Sequence, residues 1–217
     1  RSPSNGAVAS AAAAINLQRK RHDFMDMNGQ ERIGAPVETV WRALNNPDML
    51  KACIPGCETL EKQSDTNMSA TVVLKVGPIK ARFEGAIELS NLNAPHGYTI
   101  SGEGKGGIAG FAKGRADVSL AEDGPGATLL TYTVKADVGG KIAQLGQRLI
   151  DGVAKSMAED FFKRFDDEMQ RQHPEAYAAA AKVEAASPPP AAGAKVPAWA
   201  WAVGAAVALA ALWLLAR

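Results

Sequence analysis

Ile79-Lys80-Ala81-Arg82-Phe83-Glu84-Gly85-Ala86-Ile87-Glu88-Leu89 alternates strictly: the odd positions are apolar or small and the even ones are mostly charged. A period of two is that of a β-strand with one face buried and the other in water. The same alternation runs through Tyr98 to Lys105, Ala112 to Leu120 and Thr128 to Val138, and turn residues separate the runs at Asn93-Ala94-Pro95-His96-Gly97 and Asp123-Gly124-Pro125-Gly126. Strands joined by such short turns predict an antiparallel meander between about Glu58 and Val138.

Helical signals flank the meander. Upstream, Asn28 to Ala35 reads as a first strand. Pro36 then opens a helix over Val37 to Leu44, with apolar residues at 37, 40, 41 and 44. Asn45-Asn46-Pro47-Asp48 stops that helix and caps a short second one, Met49 to Ala52. Downstream, Lys141 to about Arg171 places Ile142, Leu145, Leu149, Val153, Met157, Phe161 and Phe165 three or four apart, a single apolar stripe. Two short helices, a curved antiparallel sheet and a long final helix across its inner face predict an α+β domain.

By parity the inward residues of these strands include Ala81, Gly85, Gly102, Gly104, Gly114, Ala116 and Ala136. Small residues on several neighbouring strands either let the helix approach closely or leave an apolar cavity for a ligand. If there is a cavity, parity and bulk nominate Phe83, Ile87, Tyr98, Ile100, Phe111, Tyr132 and Val134 from the sheet. From the helix they nominate Leu145, Leu149, Val153, Met157 and Phe161. The tyrosines could each offer a hydrogen bond to a ligand carbonyl or serve as core aromatics. A register slip of one residue would reverse any of these strands.

The ends read differently. Residues 1–24 form an expected disordered extension, with Met25 or Met27 as a natural start to a domain covering 25–173. Pro174 to Lys195, Ala/Pro-rich with Ser187-Pro188-Pro189-Pro190, reads as a semi-stiff linker. Val196 to Ala216 carries no charge and holds Trp199, Trp201 and Trp213 near its ends. As a helix it would be roughly 31 Å long, enough to span a bilayer core of about 30 Å, which predicts a transmembrane tail anchor over 196–216. In the N-terminal stretch the apolar run Ala7 to Ile15 precedes the basic cluster Arg19-Lys20-Arg21-His22, the reverse of a secretory signal. The domain is therefore expected at the cytoplasmic face of the inner membrane.

Charge excludes one class of partner. With 24 basic and 23 acidic residues the net charge is +1, and no basic stripe interleaves with aromatics, so nucleic acid is not expected. Little in the chain suggests catalysis. His22, His96 and His173 fall in the tail, in a turn and beside Pro174, and no Ser/His/Asp arrangement has a plausible context. Cys53 and Cys57 bracket Ile54-Pro55-Gly56 with no third cysteine or nearby histidine, which favours free thiols over half of a metal site or a redox disulfide. Gly102 to Gly110 lacks the Lys-Ser/Thr of a phosphate-binding loop and reads as a flexible rim or a glycine-rich hairpin. No catalytic residue and no metal ligand is assigned.

A resemblance adds to this reading. Trp41-Arg42-Ala43-Leu44-Asn45-Asn46-Pro47-Asp48-Met49-Leu50 with Cys53-Ile54-Pro55-Gly56-Cys57-Glu58 closely resembles the carbon monoxide dehydrogenase G-subunit family, a branch of the START-like, polyketide cyclase-related helix-grip superfamily. Phe83-Glu84-Gly85, Gly104 to Gly114, Val138 to Gly146 and Phe161-Phe162 are similar to it as well, so that the resemblance covers about Met27 to Met169. It implies an apolar pocket between sheet and last helix. It further implies an accessory protein, not an enzyme, that tethers a molybdenum-containing carbon monoxide dehydrogenase or related molybdenum hydroxylase to the membrane. The pocket would hold a respiratory quinone, menaquinone or ubiquinone, for electron transfer. Two alternatives stand beside that expectation: a purely mechanical anchor with a filled interior, and a helix-grip enzyme such as a cyclase, which would need an inward acid or base.

Overall fold

The computed structural model describes residues 23–186. Nearly all of them belong to one compact unit that closes at Ala181; a second begins at Lys182, and of it only the end of the last helix is described. The elements follow in the order β1 (Asp23–Ile33), α1 (Val37–Leu44), α2 (Pro47–Cys53), β2 (Cys57–Lys62), β3 (Asn67–Val76), β4 (Ile79–Asn93), β5 (Gly97–Lys105), β6 (Phe111–Glu122), β7 (Thr128–Gly139), α3 (Gln147–Gln172) and α4 (Pro174–Ala186). The seven strands make one antiparallel sheet in the order β1-β7-β6-β5-β4-β3-β2. The first strand thus closes against the last, and α1 and α2 bridge the two edges of the meander. This is the expected α+β helix-grip arrangement.

Register carries the parity argument into space. Residues directly opposite one another share a face. Phe83 pairs with Val72, Ile87 with Met68 and Gly102, Gly102 with Gly114, and Ala116 with Val134. The even positions of β3, β5, β6 and β7 and the odd ones of β1 and β4 therefore form the inner face.

At the α1 end the inner face is solid. Val40, Phe165 and Met169 are fully buried and pack with Ile33, Leu44, Leu120 and Leu130. The Thr128 hydroxyl donates a 2.7 Å hydrogen bond to the Ala35 carbonyl and ties the start of β7 to the β1–α1 joint. The Asn46 side chain accepts from the backbone N–H of Asp48 at 3.0 Å and of Met49 at 3.5 Å, satisfying donors that the first turn of α2 would otherwise orphan.

Three expectations change here. The long helix begins at Gln147, not Lys141: Ala143–Leu145 is a single 3-10 turn, and Gly146 sits at φ 89°, a left-handed conformation that ends one phase and starts another. Pro174–Ala186, read as the start of a linker, is helical, with proline in its first turn and alanines through its length. The Tyr177 ring lies on bare Gly34, where a Cβ would stand 2.9 Å from it, and its hydroxyl donates to Asp166 Oδ1 at 2.6 Å. The third concerns the membrane. Among the described residues no helix is long and apolar enough to cross a bilayer, and 196–216, like nearly all of 1–24, lies outside them. The transmembrane helix, and the inner-membrane location that rested on it, are therefore withdrawn from the account.

Replacing Asn46 by Ala removes the cap of α2 without touching the sheet. The expected loss is about 1 kcal/mol of unfolding free energy, read as a lower urea midpoint at unchanged slope.

Candidate apolar ligand site

Between the solid end and the hairpin tips α3 stands away from the sheet, leaving two chambers. The first, of about 370 Å³, lies under the amino-terminal turns of α3. Ala70, Val72 and Leu74 of β3, Phe83 of β4 and Val138 of β7 wall it, and Ile142, Ile150, Val153 and Ala154 roof it. Glu103 borders it from a position that alternates to the outer face, and no other acidic or basic residue does. The second chamber, of about 350 Å³, lies towards α1 and α2. Its walls include Leu44, Leu50, Tyr98, Tyr132, Phe161 and Phe162.

The small inner residues have two different causes. At Gly114 a Cβ would stand 2.9 Å from the Lys135 carbonyl oxygen, so the backbones of β6 and β7 require a glycine there. At Gly102 the nearest atom to a Cβ would be the Ala86 carbonyl oxygen at 3.7 Å, ordinary contact distance. Gly102 is bare because the space above it is open, not because a neighbour excludes a side chain. Close approach and cavity, the two readings left open by the sequence, thus hold at different glycines.

Of the twelve nominated residues, Phe83 and Val153 line the first chamber. Tyr98, Ile100, Tyr132, Val134 and Phe161 line the second, and Ile87 and Met157 line both. Three lie elsewhere. Phe111 has the opposite parity to inward Ala112, and its ring lies on Gly139, where a Cβ would meet it at 2.3 Å. Leu145 and Leu149 fall before or just after the break at Gly146 and sit over Gly77 in the β3–β4 turn; Leu149 is 38% exposed. Ile150 takes the inward place instead. The sequence reading missed Met25 and Met27 on β1, the even positions of β3 and Ile54. For β3 the signal was present: Met68, Ala70, Val72, Leu74 and Val76 alternate with Ser69, Thr71, Val73 and Lys75.

Two polar features stand out in this apolar setting. Tyr98 is 6% exposed, its ring packed edge-on against Trp41 at 5.3 Å. Its hydroxyl has no hydrogen-bond partner among the described residues, and Tyr98 is one of the residues that line the second chamber. Burial pushes its pKa up to about 12, which keeps it a neutral donor. The second feature is Glu31. It pairs with buried Leu130, so it has inward parity, and with Tyr132 and Glu159 it lines a groove between β1 and α3. Burial, then Asp166 and Glu159, raise its carboxyl above the ordinary range. Burial, Glu31 and Glu159 likewise raise the Tyr132 hydroxyl, and Tyr132 borders both this groove and the second chamber. Glu31 is thus an acid of inward parity, the kind of group that a helix-grip enzyme would need.

The thiols do not enter the site as reactive groups. Both cysteines are free; Cys53 is fully buried beside Met49, and burial lifts its pKa to about 11. The glycine-rich hairpin is tied down where Ile142 N–H donates to the Ala109 carbonyl at 3.0 Å, with Ala109 buried against Ile142 and Ile150.

Two substitutions test this geometry. Gly102→Val adds a β-branched side chain over open space on a strand, so Tm should hold or rise while binding of the apolar dye N-phenyl-1-naphthylamine falls. For Glu31, a folded pKa above the unfolded one means a stability cost at neutral pH that vanishes as pH falls below both values. Glu31→Gln should therefore raise Tm at pH 7 and leave it unchanged well below the carboxylate range, as followed by thermal denaturation.

The molecule resembles several solved structures. A crystal structure of a conserved protein from Geobacillus kaustophilus is 34% identical, with a TM-score of 0.64, and the match covers 68% of this chain and 96% of that one. A START superfamily protein from Mycobacterium smegmatis shares the fold at 13% identity and a TM-score of 0.54, over 68% of this chain and 98% of that one. So does the Zhui aromatase/cyclase from Streptomyces sp. R1128, at 13% identity and a TM-score of 0.51, over 69% and 95%. No curated protein matches. The pattern of the carbon monoxide dehydrogenase G-subunit (CoxG) family matches residues 29–170. The expected role as a membrane-anchored adapter passing electrons through a quinone is corrected: no described helix supplies the anchor, and what fold and walls support is a site for a hydrophobic small molecule. By the match over 29–170, the chain belongs to the CoxG family.

Proposed function

We propose that this protein is a carrier for a hydrophobic small molecule with a hydrogen-bond acceptor at one end, and that it serves a carbon monoxide dehydrogenase of the molybdenum hydroxylase type. The observation that carries the ligand class is Tyr98, whose hydroxyl has no partner among the described residues and which lines a chamber apolar but for this residue and Tyr132. A donor without a protein partner favours a ligand that supplies the acceptor, and apolar walls favour burial of the rest of it. The partner is read from the family to which the chain belongs. Menaquinone and ubiquinone belong to this class by shape and are two probes among several, since nothing in the site singles out a quinone. Among the described residues neither chamber is lined by an inward carboxylate, histidine or lysine.

Glu31 supports a second reading, a helix-grip small-molecule enzyme. It is an inward carboxyl with raised pKa at the groove that meets the second chamber through Tyr132, and the fold is shared with an aromatase/cyclase. Loss of water from a linear poly-β-carbonyl thioester incubated with the protein, abolished in Glu31→Gln, would favour this reading; an unchanged substrate mass favours the carrier.

The carrier reading predicts a specific split. Tyr98→Phe should weaken binding of a long-chain methyl ketone by about fivefold, the worth of one net hydrogen bond, and leave the matching alkane unaffected in dye-displacement titrations. Equal effects on both ligands would remove Tyr98 from ligand recognition.

A further inference from the structure

Three side chains border both chambers: Ile54 from the α2–β2 connection, Ile87 from β4 and Met157 from α3. They come from three separate elements, and together they mark where the two volumes adjoin. Resting on the carrier reading, we propose that the two chambers are halves of a single site for one elongated aliphatic molecule, with Met157 as the movable partition that sets the length accepted.

The choice of Met157 follows from side-chain mechanics. Isoleucine is branched at Cβ and stiff about χ1, whereas methionine is unbranched and has three rotatable bonds ending in a polarisable thioether. Of the three, only Met157 can swing aside without moving backbone. It also stands midway along the roof. Val153 lines the first chamber and Phe161 the second, and the two Cα positions are separated by about 12 Å along the helix axis. A channel running beneath both turns therefore passes Met157.

Size and wall chemistry agree with a shared occupant. Each chamber, near 370 and 350 Å³, falls at the small end for ligand pockets, which range over about 300–1,000 Å³; together they fall in the middle. The first chamber is aliphatic and glycine-floored, with Phe83 as its one aromatic wall, while the second carries Tyr98, Tyr132, Phe161 and Phe162. The acceptor-bearing end then belongs beside Tyr98, with the aliphatic remainder passing Met157 into the first chamber.

The test uses the full-length chain loaded with N-phenyl-1-naphthylamine, displaced by straight-chain primary alcohols from hexanol to octadecanol. In the wild type affinity should climb by about fourfold per added carbon through lengths that exceed one chamber. In Met157→Phe, a bulkier and stiffer partition, the climb should stop at the length that fills the second chamber. Ile87→Ala, which widens the passage from the sheet side, should keep the climb. If the dye and all the alcohols fail to bind the wild type, the carrier reading itself falls and this inference with it. If they bind and Met157→Phe follows the wild type at every length, or loses hexanol as completely as octadecanol, the partition is overturned while the apolar site stands.

Discussion

The sheet grips helix α3 most tightly at its carboxy-terminal end. Phe165 and Met169, fully buried, lock the carboxy-terminal turns among Ile33, Leu44, Leu120 and Leu130. That contact fixes the angle at which the rest of the helix crosses the sheet. Towards Gln147 the sheet opposite offers Gly85, Gly102, Gly104, Ala112 and Ala136, side chains too short to reach the helix. The gap, the two chambers and the position of Met157 between them all follow from a tight clamp at one end and a shortage of side-chain volume at the other.

A domain of this size ordinarily has one contiguous core. Here the buried residues fall into three clusters, around Phe165, around Leu89 and Tyr98, and around Phe83 and Ile150. The chambers lie where these clusters would otherwise meet. Leaving such apolar volume unfilled forgoes the dispersion contacts that a close-packed core would make. A packing defect of that size would be removed by a few Gly-to-larger changes, and Gly102 has room for one. The energetics therefore favour a site kept open for an occupant over a loosely packed core.

The fold was legible because its signals are local and repeated. Alternation over Ile79 to Leu89 recurs on three further strands, Pro36 precedes a helix and Asn46 caps the next, and none of these depends on distant partners. The site was legible where parity ran unbroken, as at Ile87, Tyr98 and Val134. It failed where bulk was preferred to parity: Phe111, beside inward Ala112, points away because bare Gly139 accepts its ring. Leu145 and Leu149 failed for a different reason, since a glycine at φ 89° shifts the helical phase and a stripe counted across it misplaces residues on both sides. Glu31 was hidden because an inward charge contradicts the pattern; β1 is an edge strand, and at its lip a carboxyl can hold inward parity and still reach water. The alanine-rich run after Pro174 was read by composition, although proline in a first turn followed by alanines is also how a helix begins.

The central claim is that the space under α3 exists to be occupied. Native mass spectrometry of the full-length chain, purified gently from cells and extracted with organic solvent in parallel, addresses it most directly. The account predicts one apolar small molecule per chain, lost on extraction and recovered in the solvent phase. A chain that carries no adduct from any source and takes up no hydrocarbon when saturated with one would contradict it.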